Sequence, residues 1–66
     1  MFAVVNGTER ELPDGVSVAG LLDKLGMTRT GVAVALDGAV VPRGNWTTTT
    51  LRSGSVVEVL TAVGGG

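Results

Sequence analysis

Residues 1–12, MFAVVNGTEREL, decide the fold because they predict a β-hairpin. Residues 2–5 are a short apolar run rich in β-branched side chains, and Asn6-Gly7 follows them. Asn-Gly is a strong hairpin signal, since both central residues of a type I′ turn take positive φ. The mostly polar residues 8–12 then supply the second strand.

Residues 16–26 predict one short amphipathic helix. Its apolar side chains recur at spacing i, i+3, i+4, i+7 and form one stripe, Val18, Leu21, Leu22 and Leu25. Ser17 is placed to cap the N-terminus, and Gly26 stands where a left-handed C-cap is expected. Gly20 costs about 1 kcal/mol relative to alanine inside a helix. We expect close packing against the sheet to account for it.

Two further strands are predicted downstream of the helix. Residues 32–36, VAVAL, form a continuous apolar run that suits a buried central strand, and Asp37-Gly38 ends it as a turn. Residues 39–41 give a brief strand, which Pro42 stops because proline has no N–H for a ladder.

The remaining segments complete an α+β pattern. Residues 43–50 are predicted as an irregular surface crossing. In it, Trp46 is expected to pack as a lid over one end of the core rather than to stack on a ligand, and Arg43 pairs either with a carboxylate on the body or with a partner. Residues 56–63 predict the last strand. With one helix available, the compact arrangement is a mixed β-sheet with that helix packed across one face.

Side chains of the last strand alternate between two faces. Glu58 is expected to point to solvent, which directs Val57 and Val59 inward and puts Leu60 on the outer face. Leu60 is then either a docking contact for a partner or partly buried under the crossing loop.

The sequence ends in Gly64-Gly65-Gly66, so we expect a β-sheet domain over residues 1–63 and then a flexible tail. Glycine lacks Cβ, and other groups approach its backbone closely. Such a tail suits a narrow enzyme channel, with the α-carboxylate of Gly66 as the reactive group; a frayed terminus is the alternative. Val63 and the glycines reach at most roughly 13–14 Å. This reach is enough to place the reactive end inside another protein while the body stays outside. Val63 and Leu60 are candidate partner contacts.

Composition narrows the function classes. The 66 residues allow one small domain, and they include no cysteine and no histidine, so disulfides and thiolate or imidazole metal sites are excluded. A net charge of −1 without runs of like charge gives no nucleic-acid or membrane-surface footprint. The chain enters a strand pattern at once, with no leader and no apolar stretch near the ~20 residues of a membrane span. We therefore expect a soluble cytoplasmic protein.

Together these features resemble the ThiS family, the sulfur carriers of thiamine (thiazole) biosynthesis. The resemblance rests on the Asn-Gly hairpin, the single helix, the central strand, the stretch VPRGNW at residues 41–46 and the terminal diglycine Gly65-Gly66, and it runs the length of the chain. It implies a ubiquitin-like β-grasp fold. Gly64 is an extra glycine before the family's pair, at a position we treat as variable.

The resemblance also implies partners and chemistry. A ThiF-like adenylating enzyme uses ATP and Mg to activate the Gly66 carboxylate, with Gly65 and Gly64 recognised as the tail. Sulfur from cysteine, through a desulfurase, then gives a thiocarboxylate that donates to a ThiG-like thiazole synthase. The carrier itself is not an enzyme and binds no cofactor or metal.

A diglycine terminus is shared by other carriers, so several alternatives stay open. They are a carrier for molybdopterin, cysteine or tRNA thiolation, a ubiquitin-like binding module, and a modifier conjugated to lysines.

Overall fold

A computed structural model describes residues 1–61 of the chain. Its elements follow in the order β1 (Phe2–Val5), β2 (Thr8–Glu11), α1 (Val18–Lys24), β3 (Val32–Leu36), β4 (Ala39–Val41), a 3₁₀ turn (Arg43–Asn45) and β5 (Val56–Thr61). Residues 62 and 63, predicted in the last strand, and the tail 64–66 lie outside the described residues. The division into a domain of residues 1–63 and a tail stays a prediction.

The strands form one mixed sheet in the order β2-β1-β5-β3-β4. β1 runs parallel to β5, whereas β1–β2, β3–β4 and β3–β5 are antiparallel. The predicted mixed sheet is therefore confirmed. The expectation that residues 32–36 are a buried central strand is only partly right. β5 holds the middle position of the sheet, and Ala33 of β3 is exposed on a face that no other part of residues 1–61 covers.

The Asn6-Gly7 turn has the backbone conformation that the sequence predicts, and the turn predicted at Asp37-Gly38 has the same one. Asn6 and Gly7 have φ of 50° and 80°, and Asp37 and Gly38 have φ of 50° and 85°. Positive φ at both central residues defines the I′ hairpin, whose twist matches that of the flanking strands. The β1–β2 hairpin is confirmed, with β2 ending at Glu11.

The helix begins and ends with the predicted caps. The Gly20 N–H donates to the Ser17 hydroxyl at 3.0 Å, and Gly26 has φ of 69°. The Met27 N–H reaches back to the Leu22 carbonyl at 3.0 Å, which closes a Schellman turn. In the described part of the chain, no helix is long and apolar enough to cross a membrane.

The atoms closest to the Cα of Gly20 on its side-chain side belong to the residues before the helix and not to the sheet. A Cβ at this position would meet Cγ2 of Val16 at 3.0 Å and Oγ of Ser17 at 3.4 Å. The expectation of packing against the sheet is therefore wrong, since the residues just before the helix fill this space.

The core lies between α1 and one face of the sheet. Val18, Leu21 and Leu22 of the helix stripe are fully buried, while Leu25 packs at its margin. Ala19 of the helix is buried as well, and so are Trp46 of the crossing and Leu51 just after it. The remaining core comes from the strands and the first connection: Ala3, Val5, Leu12, Val32, Val34, Val41, Val57 and Val59.

Candidate functional site

The C-terminal end of β5 is the candidate site, because this strand leads into the glycine-rich end of the sequence. On one edge, β5 pairs with β3 over nearly its whole length, from Leu36 opposite Val57 to Val32 opposite Thr61. On the other edge it pairs with β1, but only as far as Val5 opposite Val57, where β1 ends. Something other than a strand must satisfy the backbone of β5 beyond that point.

The side chain of Asn6 takes over where β1 stops. The Asn6 backbone N–H donates to the Val57 carbonyl at 2.9 Å. Its side-chain Nδ2 donates to the Val59 carbonyl at 3.2 Å, and its Oδ1 accepts from the Val59 N–H at 2.8 Å. A carboxamide carries the same donor and acceptor as a peptide group. Asn6 therefore acts as one more unit of strand along β5.

Asp37 holds the other end of the same strand. Its N–H donates to the Val56 carbonyl at 2.7 Å, and its Oδ1 accepts from the Val56 N–H at 2.8 Å. Among residues 1–61, Asn6 and Asp37 are the non-glycine residues with positive φ. Both turns therefore fix β5 through a side chain as well as closing a hairpin.

These two roles are absent from the sequence-based predictions, which treat Asn6 and Asp37 as turn residues alone. The signal was the residue type: Asn and Asp tolerate positive φ and hydrogen-bond nearby backbone readily. The strand order is needed to know that Asn6 and Asp37 bond to the backbone of β5.

Arg43 ties the 3₁₀ turn to the loop that precedes β3. Its Nη1 donates to the Arg29 carbonyl at 2.5 Å, and its Cζ lies 5.1 Å from the ring centroid of Trp46. The Trp46 Nε1 in turn donates to the Val41 carbonyl at 2.9 Å. The alternative in which Arg43 pairs with a carboxylate on the body is wrong: its contacts on the body are a backbone carbonyl and an aromatic ring. A contact with a partner stays a prediction. The predicted packing role of Trp46 is confirmed.

A second arginine completes this cluster. Nη2 of Arg29 lies 3.3 Å from Oδ2 of Asp23 at the end of the helix, and both side chains are substantially exposed. Exposed pairs contribute little to stability. Arg43 and Asp23 both contact Arg29 in the loop that leads into β3.

The predicted orientation of β5 is confirmed. Val57 and Val59 are buried, and Glu58 is exposed. Leu60 is 66% exposed, so the alternative of burial under the crossing loop is wrong. Its contact with a partner stays a prediction.

The other predicted site residues fall at the end of the chain. Val63, Gly64, Gly65 and Gly66 lie outside the described residues. Within residues 1–61, no group of three or more carboxylates is arranged to hold a metal ion.

A five-stranded mixed sheet with one helix on one face, and with its middle strand parallel to its first, defines the ubiquitin-like β-grasp class. The family model "ThiS family" matches residues 3–66. The chain belongs to the ThiS family.

Similar solved structures agree with this assignment. The crystal structure of the thiamine biosynthesis protein ThiS from Geobacter metallireducens is 33% identical, with a TM-score of 0.85 and full coverage of both chains. The NMR solution structure of a thiamine biosynthesis protein from the same organism, also 33% identical, has a TM-score of 0.83, covering all of this chain and 88% of that one.

A curated relative is much longer. The thiazole synthase of Paramagnetospirillum magneticum (strain ATCC 700264 / AMB-1) is 32% identical over 66 residues. The match takes in 100% of this chain and 20% of the relative, so the chain spans about a fifth of that protein's length.

Proposed function

We propose that this protein is a sulfur carrier of thiamine biosynthesis and that Gly66 carries the sulfur. Membership of the ThiS family and likeness to the Geobacter protein support the pathway. The observation that carries the proposal is the position of β5. This strand lies in the middle of the sheet, is held by Asn6 and Asp37, and leads into residues 62–66, of which the last three are glycine.

The chemistry begins with activation, because a free carboxylate is a poor electrophile. On a ThiF-like adenylating enzyme, a Gly66 carboxylate oxygen attacks the α-phosphorus of Mg-bound ATP, and pyrophosphate leaves. A desulfurase takes sulfur from cysteine as a persulfide, which thiols reduce to hydrosulfide while they are oxidised to a disulfide. The hydrosulfide then attacks the acyl carbon. AMP leaves with the bonding electron pair, and Gly66 becomes a thiocarboxylate.

The acceptor of the sulfur is a ThiG-like thiazole synthase. The relative from Paramagnetospirillum magneticum, which is named a thiazole synthase and contains a segment similar to this whole chain, supports that partner. After transfer, the carrier returns as a carboxylate and is activated again. These ATP-dependent steps take place in the cytoplasm.

The body of the carrier presents the tail and does not catalyse. The sequence contains no cysteine and no histidine, so it offers neither a thiolate nucleophile nor an imidazole base. Gly65 and Gly64 let an enzyme channel close around the backbone. Leu60 and Val63 contact the partner where the tail enters it.

Intact mass spectrometry tests the proposal directly. Incubation with a ThiF-like enzyme, Mg-ATP and sulfide is expected to raise the mass by the difference between one sulfur and one oxygen atom, located at Gly66. The proposal requires that Gly66 is the last residue of the mature protein, which the same measurement on protein from cells reports.

Two variants serve as controls. A chain lacking both Gly65 and Gly66, and a chain with one alanine added after Gly66, are expected to keep the thermal unfolding midpoint of the wild type and to gain no sulfur. Sulfur gain in either variant, or none in the wild type, contradicts the proposal.

A further inference from the structure

Opposite the helix, the sheet has a face that no other segment of residues 1–61 covers, and we call it the open face. Residues directly opposite each other in neighbouring strands share a face, and the pairing register therefore assigns its members. They are Phe2, Val4, Glu9, Glu11, Ala33, Ala35, Val40, Val56, Glu58 and Leu60. Four of them are large exposed hydrophobic side chains: Phe2, Val40, Val56 and Leu60.

Those four side chains form the raised parts of this face. Val40, on β4, is 75% exposed, and Leu60, on β5, is 66% exposed. Between these strands lies β3, which contributes only Ala33 and Ala35 to the open face. Alanine ends at Cβ, so the surface over β3 is a low apolar strip between two higher rows. Contiguous exposed apolar surface of this kind marks interaction sites.

The charge on the open face has one sign. Glu58 stands in its middle, opposite Ala35, while Glu9 and Glu11 line its β2 edge. No lysine or arginine belongs to this face within residues 1–61: Arg10 lies opposite Ala3 on the other face of the sheet, and the rest lie in the helix and the loops. In that same part of the chain, none of the three glutamates forms an ion pair.

This charge pattern decides between two kinds of occupant. Two copies of the chain packed by their open faces would bring glutamates of both copies into a low-dielectric interface, where like charges are destabilising. A partner whose apolar surface carries a lysine or arginine would instead pair with Glu58. The open face is complementary to such a partner and not to itself.

The same strand also links this face to the tail. Leu60 precedes Gly66 by six residues, which span at most roughly 20–22 Å when fully extended. An enzyme that reacts with the end of the chain must therefore present its surface close to the Leu60 end of β5. Glu58 and Val56 precede Leu60 on that strand, and their side chains lie on the same open face.

We propose that the open face docks the thiazole synthase through an apolar surface that carries an arginine or lysine opposite Glu58. The inference rests on the proposed function and deepens it by naming the surface and the chemistry of its partner. The relative in which a similar segment is part of a protein named thiazole synthase favours this enzyme as the occupant. Glu58 both selects the partner and prevents self-association.

Binding of the purified chain to the cognate thiazole synthase tests the inference by calorimetry. Glu58→Arg is expected to raise the Kd about 10- to 100-fold, and Leu60→Ala to raise it about 10-fold. Glu58→Gln is expected to flatten the salt dependence of Kd, because the charge pair is gone. The matched control is Asp23→Arg, the same charge change on the helix, which is expected to alter Kd less than threefold, or about 0.6 kcal/mol.

Self-association provides a second readout that does not need the synthase. Sedimentation velocity is expected to show a monomer for the wild type and a concentration-dependent dimer for Glu58→Leu. The inference is overturned if Glu58→Arg and Leu60→Ala bind as tightly as the wild type, or if Asp23→Arg weakens binding as much as they do. The inference is also overturned if the wild type does not bind the thiazole synthase. In that case the proposed function still stands, provided that Gly66 gains sulfur from the activating enzyme. Loss of that sulfur gain in the wild type contradicts the proposed function separately.

Discussion

The side chain of Asn6 binds both backbone groups of Val59, which lies 53 residues further along the chain. Because β1 turns away at this point, the carboxamide stands in for the peptide group of a missing strand residue. The first turn of the chain thus helps to hold the strand that carries the reactive end.

Replacing Asn6 with aspartate is expected to lower the free energy of unfolding by about 1–3 kcal/mol. The carboxylate keeps the acceptor for the Val59 N–H but loses the donor, and an anionic oxygen then faces the Val59 carbonyl. Asn6→Gly retains a residue suited to positive φ and removes both bonds. It is expected to speed amide hydrogen exchange at Val59. Urea unfolding and exchange measured by NMR check the two effects.

Asp37→Asn is the matched control for this prediction. Asp37 uses only an acceptor oxygen toward the Val56 N–H, and asparagine keeps that oxygen. The free energy of unfolding is expected to change by no more than about 0.5 kcal/mol. An Asn6→Asp protein as stable as the wild type would show that the side chain merely occupies the turn.

Trp46→Phe is expected to destabilise the fold by about 1–3 kcal/mol. Phenylalanine fills most of the volume but leaves the buried end of β4 without the Nε1 donor to the Val41 carbonyl. Trp46→Ala is expected to cost about 3–5 kcal/mol. Since a core of this size supplies roughly 3–5 kcal/mol, that protein should be largely unfolded. Thermal melting followed by circular dichroism measures both.

The control for Trp46 is Val40→Ala, on the exposed side of β4, the strand whose Val41 carbonyl accepts the Trp46 hydrogen bond. Val40 is 75% exposed, and its truncation is expected to cost no more than about 1 kcal/mol. A folded, wild-type-like Trp46→Ala protein would contradict the central packing role of this side chain.

Gly20→Ala and Val16→Ala are expected to be coupled. A Cβ at Gly20 would lie 3.0 Å from Cγ2 of Val16, so alanine gains helix propensity in the wild type only by pushing that methyl group aside. Once Val16 is alanine, Gly20→Ala is expected to stabilise the protein by about 1 kcal/mol. A double-mutant cycle from urea unfolding gives the coupling energy. Strict additivity of the two substitutions would refute the steric explanation.

Arg43→Ala is expected to lower the free energy of unfolding by about 0.5–1 kcal/mol and to shift the fluorescence of Trp46. The guanidinium leaves both the Trp46 ring and the Arg29 carbonyl. Arg43→Lys keeps the cation without the planar fork and is expected to lose about half as much. Arg52→Ala, which removes an exposed arginine elsewhere, is the control and should leave stability and emission unchanged. Identical spectra for Arg43→Ala and the wild type would argue against the cation–π contact.

The sequence predicts the local structure well, because turn and cap chemistry depend on near neighbours. Asn6-Gly7 marks its hairpin, Ser17 and Gly26 mark the two ends of the helix, and the alternation along β5 places Leu60 outside. Each of these needs only a few residues of context.

Long-range relationships were not predictable from the same patterns. The apolar run 32–36 reads as buried on both faces, yet residues 1–61 cover only its inner face. The pairing of Asn6 with Val59 depends on β5 entering beside β1, which no local pattern encodes. At the candidate site, the alternating orientation of the β5 side chains could be predicted from the sequence. The roles of Asn6 and Asp37 in holding β5 could not.

The middle position of β5 has a consequence for how the protein folds. The β1–β2 and β3–β4 hairpins join neighbouring segments and can form early, but each leaves an unpaired edge facing a gap one strand wide. Closing that gap requires residues 56–61 to meet the first residues of the chain, a contact of long sequence separation that slows folding. Chains cut short before Val56 would keep two bare edges open to other molecules and should aggregate on synthesis.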